Sequence, residues 1–111
     1  MDVSQLLKGI LPTTALAVIA EGDSYGYQVL NDLRIRGLST VGDASVYGTL
    51  QRLYDAGLVS SYVVASPSGP KRKYYAVTAE GTHVLTSDRK EWRSFRTTVD
   101  LLLGSSDEVA R

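Results

Sequence analysis

Apolar residues in the first part of the chain recur at the spacing of an α-helix. Those of the first 20 residues indicate a largely buried helical region and are Leu6, Leu7, Ile10, Leu11, Leu16, Val18 and Ile19. Pro12 lies inside this region and has no backbone N–H to donate. The pattern therefore fits either one helix that kinks at Pro12 or a second helix that begins there.

Two shorter helices are predicted after the first. The second helix would have Asp23 or Ser24 as its N-cap and would end before Gly37. Its apolar residues are Tyr27, Leu30 and Leu33. The third helix would follow Asp43, its predicted N-cap, with Arg52 as the one cation on its polar face. Its apolar stripe consists of Val46, Leu50 and Leu53.

A β-hairpin is predicted next, because residues 58–65 and 74–77 are rich in β-branched and aromatic side chains. The Pro, Gly and Ser residues at 66–70 between them make a connection too long for a two-residue turn. Successive side chains of a strand point to opposite faces, so Lys71 and Lys73 would lie on one face and Arg72 on the other. The tip of the hairpin is therefore basic on both faces.

A final helix is predicted over residues 79–103, with Thr78 as N-cap and Glu80 in the first turn, where the helix dipole favours an anion. It carries a heptad-like apolar seam that Asp88 interrupts. The seam residues are Leu85, Trp92, Phe95, Val99 and Leu102. A helix of this length spans about 38 Å, more than a small domain can cover. The seam therefore predicts a two-fold homodimer, and the alternative is that the helix folds back on its own domain.

The composition argues against an enzyme. The chain of 111 residues fits one domain, contains no cysteine, and has a single histidine, His83. No acid pair or serine stands beside that histidine at a catalytic spacing, and no glycine-rich turn has the pattern of a phosphate-binding loop. We therefore expect no catalytic residue, metal site or cofactor, and we expect His83 on the surface or interface of the final helix.

The start of the chain lacks the pattern of a secretion signal. The longest uninterrupted apolar run, residues 16–20, is far too short to span a bilayer. We therefore expect a soluble, cytoplasmic protein without a membrane partner.

Charge is unevenly distributed along the chain. Twelve basic and twelve acidic residues cancel overall, but residues 44–77 contain four basic residues and one acid, a net charge of +3, which leaves −3 for the rest. A local positive surface is what a protein needs to bind a polyanion. The third helix and the hairpin are therefore a candidate nucleic-acid surface, although a solvated charge run without function has the same composition.

The order helix, helix, helix, hairpin, helix is that of a winged helix-turn-helix, in which the third helix enters the major groove. We therefore predict a mainly α fold with a small β-hairpin and a long C-terminal helix. Its parts would be a winged-helix DNA-binding domain at 1–78, a dimerisation helix packed on it at 79–103, and a flexible tail at 104–111.

Four segments of the chain resemble the PadR family of bacterial transcriptional regulators. They read YGYQVL at 25–30, SVYGTLQRL at 45–53, AGLV at 56–59 and GPKRKYYAVTAEG at 69–81. The basic-Tyr-Tyr wing that leads into Thr-x-x-Gly is the most specific of them. The resemblance covers residues 6–103. It implies a homodimeric repressor that binds an inverted repeat in double-stranded DNA and is released by a small-molecule or stress signal.

The resemblance also assigns the DNA contacts. Ser45, Thr49 and Arg52 are candidates for base edges and phosphates, Tyr47 would give its hydroxyl to a phosphate, and the wing cations at 71–73 would form a clamp. The chemistry agrees for Arg52 and the wing, because guanidinium binds guanine or phosphate through two N–H groups and wing cations contact the backbone. By helical phase, Tyr47 fits core packing with an exposed hydroxyl equally well.

Gly48 departs from the family pattern, since many members carry proline directly after the tyrosine. A glycine inside a helix costs about 1 kcal/mol relative to alanine, which is reasonable where another backbone must approach closely. Gly48 is therefore included in the predicted DNA surface, with simple tolerance of the glycine as the alternative.

Trp92 lies eleven residues after Gly81, the glycine that follows the wing. In the multidrug-responsive branch of the family, a tryptophan at this spacing stacks planar cationic drugs at the dimer centre, and aromatic faces attract such cations. The resemblance therefore implies a small aromatic or cationic effector at Trp92, against the alternative that Trp92 is only interface core.

A rival function from another class is a winged helix that contacts a protein. Its basic tip would be ordinary soluble surface. Such a module would bind duplex DNA weakly and without salt dependence.

Overall fold

The structure, a computed structural model, describes residues 1–104 of the chain. Its elements in chain order are α1 (Val3–Glu21), β1 (Ser24–Tyr25), α2 (Gly26–Ile35), α3 (Asp43–Asp55), β2 (Val59–Ser66), β3 (Gly69–Val77) and α4 (Ala79–Leu103). The winged-helix fold with its long C-terminal helix is confirmed, and β1 is an element that was not predicted. Of the predicted tail, all residues but Gly104 lie outside the described residues.

The first helix is continuous, since Pro12 lies inside α1 and does not begin a second helix. Five of its residues are buried in the core, namely Leu11, Ala15, Leu16, Val18 and Ile19. By length and composition, α1 is long and apolar enough to cross a membrane, the one such helix among the described residues. The second half of α1 packs against the other helices of the domain. Leu6 is exposed, and Leu7 and Ile10 are half-buried, so the predicted burial of this region is confirmed only from Leu11 onward.

Two predicted N-caps are wrong. Ser24 pairs with Tyr75 in the sheet, so α2 begins after Tyr25 and has no side-chain cap. The hydroxyl of Ser24 donates to the carbonyl oxygen of Gly22 instead. The N-cap of α3 is Gly42, and Asp43 is already in the first turn, where its carboxylate binds Arg34 at 2.8 Å.

The ends of α2 and α3 share one geometry. Gly37 and Gly57 each follow the C-cap residue of their helix and adopt positive φ values of 126° and 77°, a conformation that favours glycine. In each case the next amide reaches back over a full turn, from Leu38 to the carbonyl of Leu33 and from Leu58 to that of Leu53. These Schellman motifs pair carbonyls that would otherwise lack a partner and turn the chain sharply. The predicted stop at Gly37 is confirmed.

The sheet has the strand order β1-β3-β2, with both pairs antiparallel. The predicted long hairpin loop is wrong, because Ser66 pairs with Gly69 and leaves only Pro67 and Ser68 between the strands. Neither turn residue has a positive φ. A turn of that kind does not follow the right-handed twist of the strands, and a register shift between Val64 and Ser66 accommodates the mismatch.

The core lies where α1, α2 and α3 meet, and one face of the sheet and the start of α4 close it. The predicted stripe of α3 is buried there, and Val59, Tyr75 and Leu85 contribute from β2, β3 and α4. The polar face of α3 and the hairpin tip therefore remain outside the core.

The start of α4 is tied to the end of α3. The hydroxyl of Thr78 accepts from the amide of Gly81 at 3.0 Å and donates to the carbonyl of Gly57 at 2.7 Å, which confirms Thr78 as the N-cap. The amide of Thr78 also donates to the carbonyl of Leu58 at 3.1 Å. Gly81 packs so tightly that an added Cβ would overlap that same Leu58 carbonyl.

The two halves of α4 have different surroundings. Leu85 is buried in the core, and the carboxylate of Asp88 accepts a hydrogen bond from Thr13 of α1 at 2.9 Å. Asp88 therefore interrupts the apolar seam at the point where α4 touches α1. Beyond it the helix extends away from the domain, which gives the described residues a length of 63 Å against a width of 27 Å.

We predict that Gly81→Ala lowers the free energy of unfolding by about 2 kcal/mol, because the new methyl group meets backbone that cannot move aside easily. Gly9→Ala is the matched control. It adds a methyl group in α1, where nothing lies within 4 Å, and should raise stability by up to about 1 kcal/mol. Urea unfolding followed by circular dichroism at one protein concentration measures both. Equal stability of the two variants would contradict the close packing at Gly81.

Candidate nucleic-acid interface

The turn that positions α3 is held by Arg34 of α2. Its guanidinium donates twice to the carbonyl of Val41, from Nε at 3.0 Å and Nη2 at 2.9 Å. Nη2 also donates to the carboxylate of Asp43 in the first turn of α3. Because a planar guanidinium fixes the angle between its partners, Arg34 sets the direction in which α3 leaves the turn.

The exposed face of α3 presents Ser45, Gln51 and Arg52, and the predicted exposure of Arg52 is confirmed. Ser45 lines a shallow cavity of about 110 Å³ together with Lys8 of α1. Lys8 thereby places a second cation beside the start of α3. It was missed in the sequence because only the packing of α1 on α3 brings it there.

The predicted DNA contact at Thr49 is not supported, since Thr49 is only 1% exposed. It follows Val46 by three residues and precedes Leu53 by four, so it lies on the buried face of the helix. Its hydroxyl accepts a hydrogen bond from Nη2 of Arg52 at 3.1 Å. Thr49 therefore orients Arg52 and is not available for a base edge.

Gly48 lies beneath the guanidinium of Arg52. A Cβ built on Gly48 would lie 3.4 Å from Nη1 of Arg52, and it meets nothing closer. The guanidinium thus extends over the small residue toward Thr49, along the helix surface. Because 3.4 Å is an ordinary van der Waals distance, the space around Gly48 in the single chain does not require a glycine.

Tyr47 packs against the start of α2. An added Cβ on Gly26 would overlap the edge of the Tyr47 ring, so Gly26 allows the two helices to approach closely. Tyr47 is nevertheless 45% exposed. Both interpretations of Tyr47 therefore hold in part, because its ring packs between helices while much of the side chain stays accessible.

The wing cations are exposed, and two of them lie over aromatic rings on opposite faces of β3. Nζ of Lys73 lies 5.4 Å from the ring centre of Tyr54 in α3 and 5.6 Å from that of Tyr75. Cζ of Arg72 lies 4.5 Å from the ring centre of Tyr25 in β1. The prediction that each face carries a cation is therefore confirmed for this pair.

The outer face of the sheet carries a row of tyrosines that was not predicted. Tyr74 is the register partner of both Tyr25 and Tyr62, with ring centres 5.4 Å and 5.6 Å away. The hydroxyl of Tyr62 donates to Asp23 at 2.7 Å, and this hydrogen bond raises the pKa of Tyr62 above its ordinary value. Alternation along the hairpin could have paired Tyr62 with Tyr74, but Tyr25 could not be placed without β1.

The predicted dimer seam divides in the structure. Leu85 is 3% exposed and belongs to the core of its own chain, so its assignment to a dimer interface is wrong. Trp92, Phe95 and Leu102 are exposed, and Val99 is half-buried. The Trp92 and Phe95 rings lie 6.4 Å apart.

No group of three or more potential metal ligands occurs among residues 1–104. A surface cavity of about 290 Å³ lies between α1 and α2 and does not include Trp92. His83 is exposed on α4. The described part of the chain therefore offers a polar helix face and a basic wing.

Comparisons with known proteins agree with this geometry. A sequence profile of the Transcriptional regulator PadR-like family matches residues 15–87. An uncharacterized protein of Lysinibacillus sphaericus is 30% identical over 102 residues, which cover 90% of this chain and 94% of that protein. The crystal structure of a PadR-like transcriptional regulator from Bacillus cereus is 35% identical with a TM-score of 0.81, covering 92% of this chain and 99% of that one. A PadR family transcriptional regulator from Eggerthella lenta is 30% identical with a TM-score of 0.82, covering 94% and 90% respectively.

We predict that Gly48→Ala raises the free energy of unfolding by up to about 1 kcal/mol. The new methyl group meets only the end of the flexible Arg52 side chain, which can shift. Urea unfolding beside the Gly9→Ala variant provides the measurement and the reference for a helical glycine in open space. A loss of stability would mean that Arg52 cannot yield and that its position over Gly48 is fixed.

Proposed function

Because the chain belongs to the PadR-like family of transcriptional regulators, we propose that it acts as a homodimer that binds a specific site in double-stranded DNA. The observation that carries the proposal is the continuous surface formed by the polar face of α3 and the basic wing. Lys73 of the wing lies against Tyr54 of α3, so the two parts face one partner. The net charge of +3 over residues 44–77 suits a polyanion.

In this proposal α3 enters the major groove and the wing contacts the flanking backbone. Arg52 binds a guanine edge or a phosphate, and Ser45 lies nearer the start of the helix, where it reaches a base edge or phosphate. The hydroxyl of Tyr47 donates to a phosphate. Lys71, Arg72 and Lys73 contact phosphates, which fix the orientation of the protein without reading sequence.

The exposed part of the seam supports the homodimer. Trp92, Phe95, Val99 and Leu102 form an apolar stripe on the half of α4 that extends from the domain. The stripe is symmetric in sequence about position 97, so an antiparallel pair of α4 helices brings Trp92 opposite Leu102 of the second copy and Phe95 opposite Val99. A two-fold dimer of this kind carries two α3 helices and suits an inverted repeat.

The regulatory part of the proposal follows the family resemblance. The protein would be a cytoplasmic repressor that binds near its own or a neighbouring gene and is released by a small-molecule or stress signal. In the pairing described above, Trp92 and Phe95 of each copy would lie in the seam between the two helices, where aromatic faces can take a flat aromatic or cationic effector.

One observation favours a second candidate, a winged helix that binds a protein. Tyr62, Val63 and Val64 of β2 are exposed on the wing, beside the cations of β3. Exposed apolar side chains of this kind are common in protein interfaces. Such a module would show feeble, salt-insensitive interaction with duplex DNA.

We expect the purified protein to bind its own upstream intergenic DNA more tightly than a scrambled duplex, and less tightly as salt rises. Arg72→Ala with Lys73→Ala should weaken binding to both duplexes and reduce the salt slope by about one per lost phosphate contact. Arg52→Ala should in addition reduce the preference for the intergenic duplex, by about 1–3 kcal/mol per base pair that Arg52 reads. Fluorescence anisotropy with both duplexes at two salt concentrations measures the affinity, the salt slope and the preference for the intergenic duplex.

Lys90→Ala is the matched control for lost charge, since Lys90 is an exposed cation of α4 on the side away from the seam. It should leave the affinity and the salt slope near those of the wild type. If the wing and Arg52 variants also bind like the wild type, the assigned DNA surface is wrong. Equal, feeble and salt-insensitive binding of the wild type to both duplexes would favour the protein-contact module.

We expect Trp92→Asp to dissociate the dimer, because it buries an unpaired charge in the seam, opposite Leu102 of the second copy. Trp92 is 43% exposed in the single chain, so the domain itself should stay folded. Thr97→Asp is the control, an exposed position on the opposite side of α4. Sedimentation velocity distinguishes the two variants, and a Trp92→Asp protein that remains dimeric would place the interface elsewhere.

A further inference from the structure

We infer that Tyr25 and Tyr54 are positioning residues, which hold the wing cations Arg72 and Lys73 in the directions that duplex DNA requires. The inference rests on the proposed DNA-binding function. It assigns a role to two tyrosines that are not among the predicted DNA contacts. Its basis is the contact of each cation with an aromatic ring on a different part of the domain.

Lys73 connects the wing with the end of α3. Its ammonium group lies over Tyr54 in the last turn of α3 and over Tyr75, which is buried in the core. Tyr54 itself is largely accessible. The ammonium group is therefore held close to the helix that would enter the major groove, not out in solvent at the tip.

Arg72 connects the wing with the start of α2. Its guanidinium lies over Tyr25, which is both a residue of β1 and the N-cap of α2. Tyr25 is in turn held edge-on against Tyr74, its register partner in β3. Consecutive residues of one strand thus bring their charges to opposite faces of the wing and to two different helices.

Arg72 and Lys73 are held by aromatic rings and not by carboxylates, and this difference leaves their charge available for DNA. Arg34 and Arg36 form all the ion pairs found among residues 1–104, and their carboxylate partners neutralise them. An aromatic ring attracts a cation through its quadrupole and leaves the full charge in place. Arg72 and Lys73 are therefore oriented without being neutralised, and they keep their charge for a phosphate.

Orientation matters because lysine and arginine side chains have many rotamers. Part of the entropy of fixing them is lost already in the unbound protein, so less is lost when DNA binds. The rings change how tightly the cations bind, but not how many phosphates they contact. The salt dependence of the affinity distinguishes a positioning residue from a contacting residue. The slope of log affinity against log salt concentration is proportional to the number of phosphates contacted, so only the loss of a contacting residue reduces it.

The test uses Tyr25→Leu and Tyr54→Leu in the full-length protein, with the upstream intergenic duplex over a range of salt. A cation–ring contact at an exposed site corresponds to about two- to fivefold in affinity per protomer, or about five- to 30-fold for a dimer with two wings. We expect a loss of that size with an unchanged salt slope. Tyr25→Phe and Tyr54→Phe keep the ring and should bind like the wild type.

A double-mutant cycle makes the test independent of small changes in folding. If Tyr25 acts through Arg72, Tyr25→Leu should change the affinity less than about twofold once Arg72 is alanine. The same should hold for Tyr54→Leu in the Lys73→Ala protein. Tyr62→Leu is the matched control, a tyrosine of the same row that stacks on Tyr74 and contacts no cation among the described residues.

Several results would overturn the inference while leaving the proposed function intact. These are wild-type affinity of both leucine variants, a reduced salt slope, the same loss in the phenylalanine variants, or an undiminished loss in the alanine backgrounds. Loss in the phenylalanine variants would make the hydroxyls direct contacts. A wild-type protein that does not select the intergenic duplex would overturn the proposed function and the inference together.

Discussion

The arrangement of the molecule depends on one junction, where Thr78 and Gly81 meet the turn that ends α3. The Thr78 hydroxyl caps α4 and bonds to the carbonyl of Gly57, while Gly81 lets α4 lie directly against Leu58. The end of α3, both strands of the wing and the start of α4 therefore meet within a few residues. Because backbone groups form most of these contacts, the directions of the wing and of α4 are fixed relative to α3.

Elements specified by neighbouring residues could be predicted from the sequence. The bounds of α4, the cap at Thr78 and the buried stripe of α3 depend on spacing and on a local hydrogen bond, and the structure has them as predicted. Elements that depend on residues distant in the sequence could not be predicted in this way. Two residues, Ser24 and Tyr25, form β1 only because β3 lies beside them. The hairpin turn is short because Ser66 and Gly69 complete the ladder, although their composition is typical of a loop.

The same distinction applies to the candidate site. Exposure of Arg52 and of the wing followed from helical phase and composition, and both were predicted. The burial of Thr49 was not, because it lies at the margin of the apolar stripe of α3. Leu85 continues the seam of α4 in sequence, and only the packing of α4 on the domain shows that it belongs to the core. The ring partners of Arg72 and Lys73 come from β1 and α3, so no local pattern in the wing could reveal them.

The chain uses its cations in two physically different ways. Near α1 and α2, Arg34 binds a carbonyl and a carboxylate, and Arg36 binds carboxylates. These two cations stabilise a turn and contacts between helices, and their charge is neutralised there. On α3 and the wing, the side chains that orient the cations are uncharged: a threonine hydroxyl for Arg52, and aromatic rings for Arg72 and Lys73. A chain with no net charge can therefore present a positive surface, because residues 44–77 contain four basic residues and a single acid, Asp55. Arg52, Arg72 and Lys73 form no ion pair among the described residues, so their charge remains available to a polyanion.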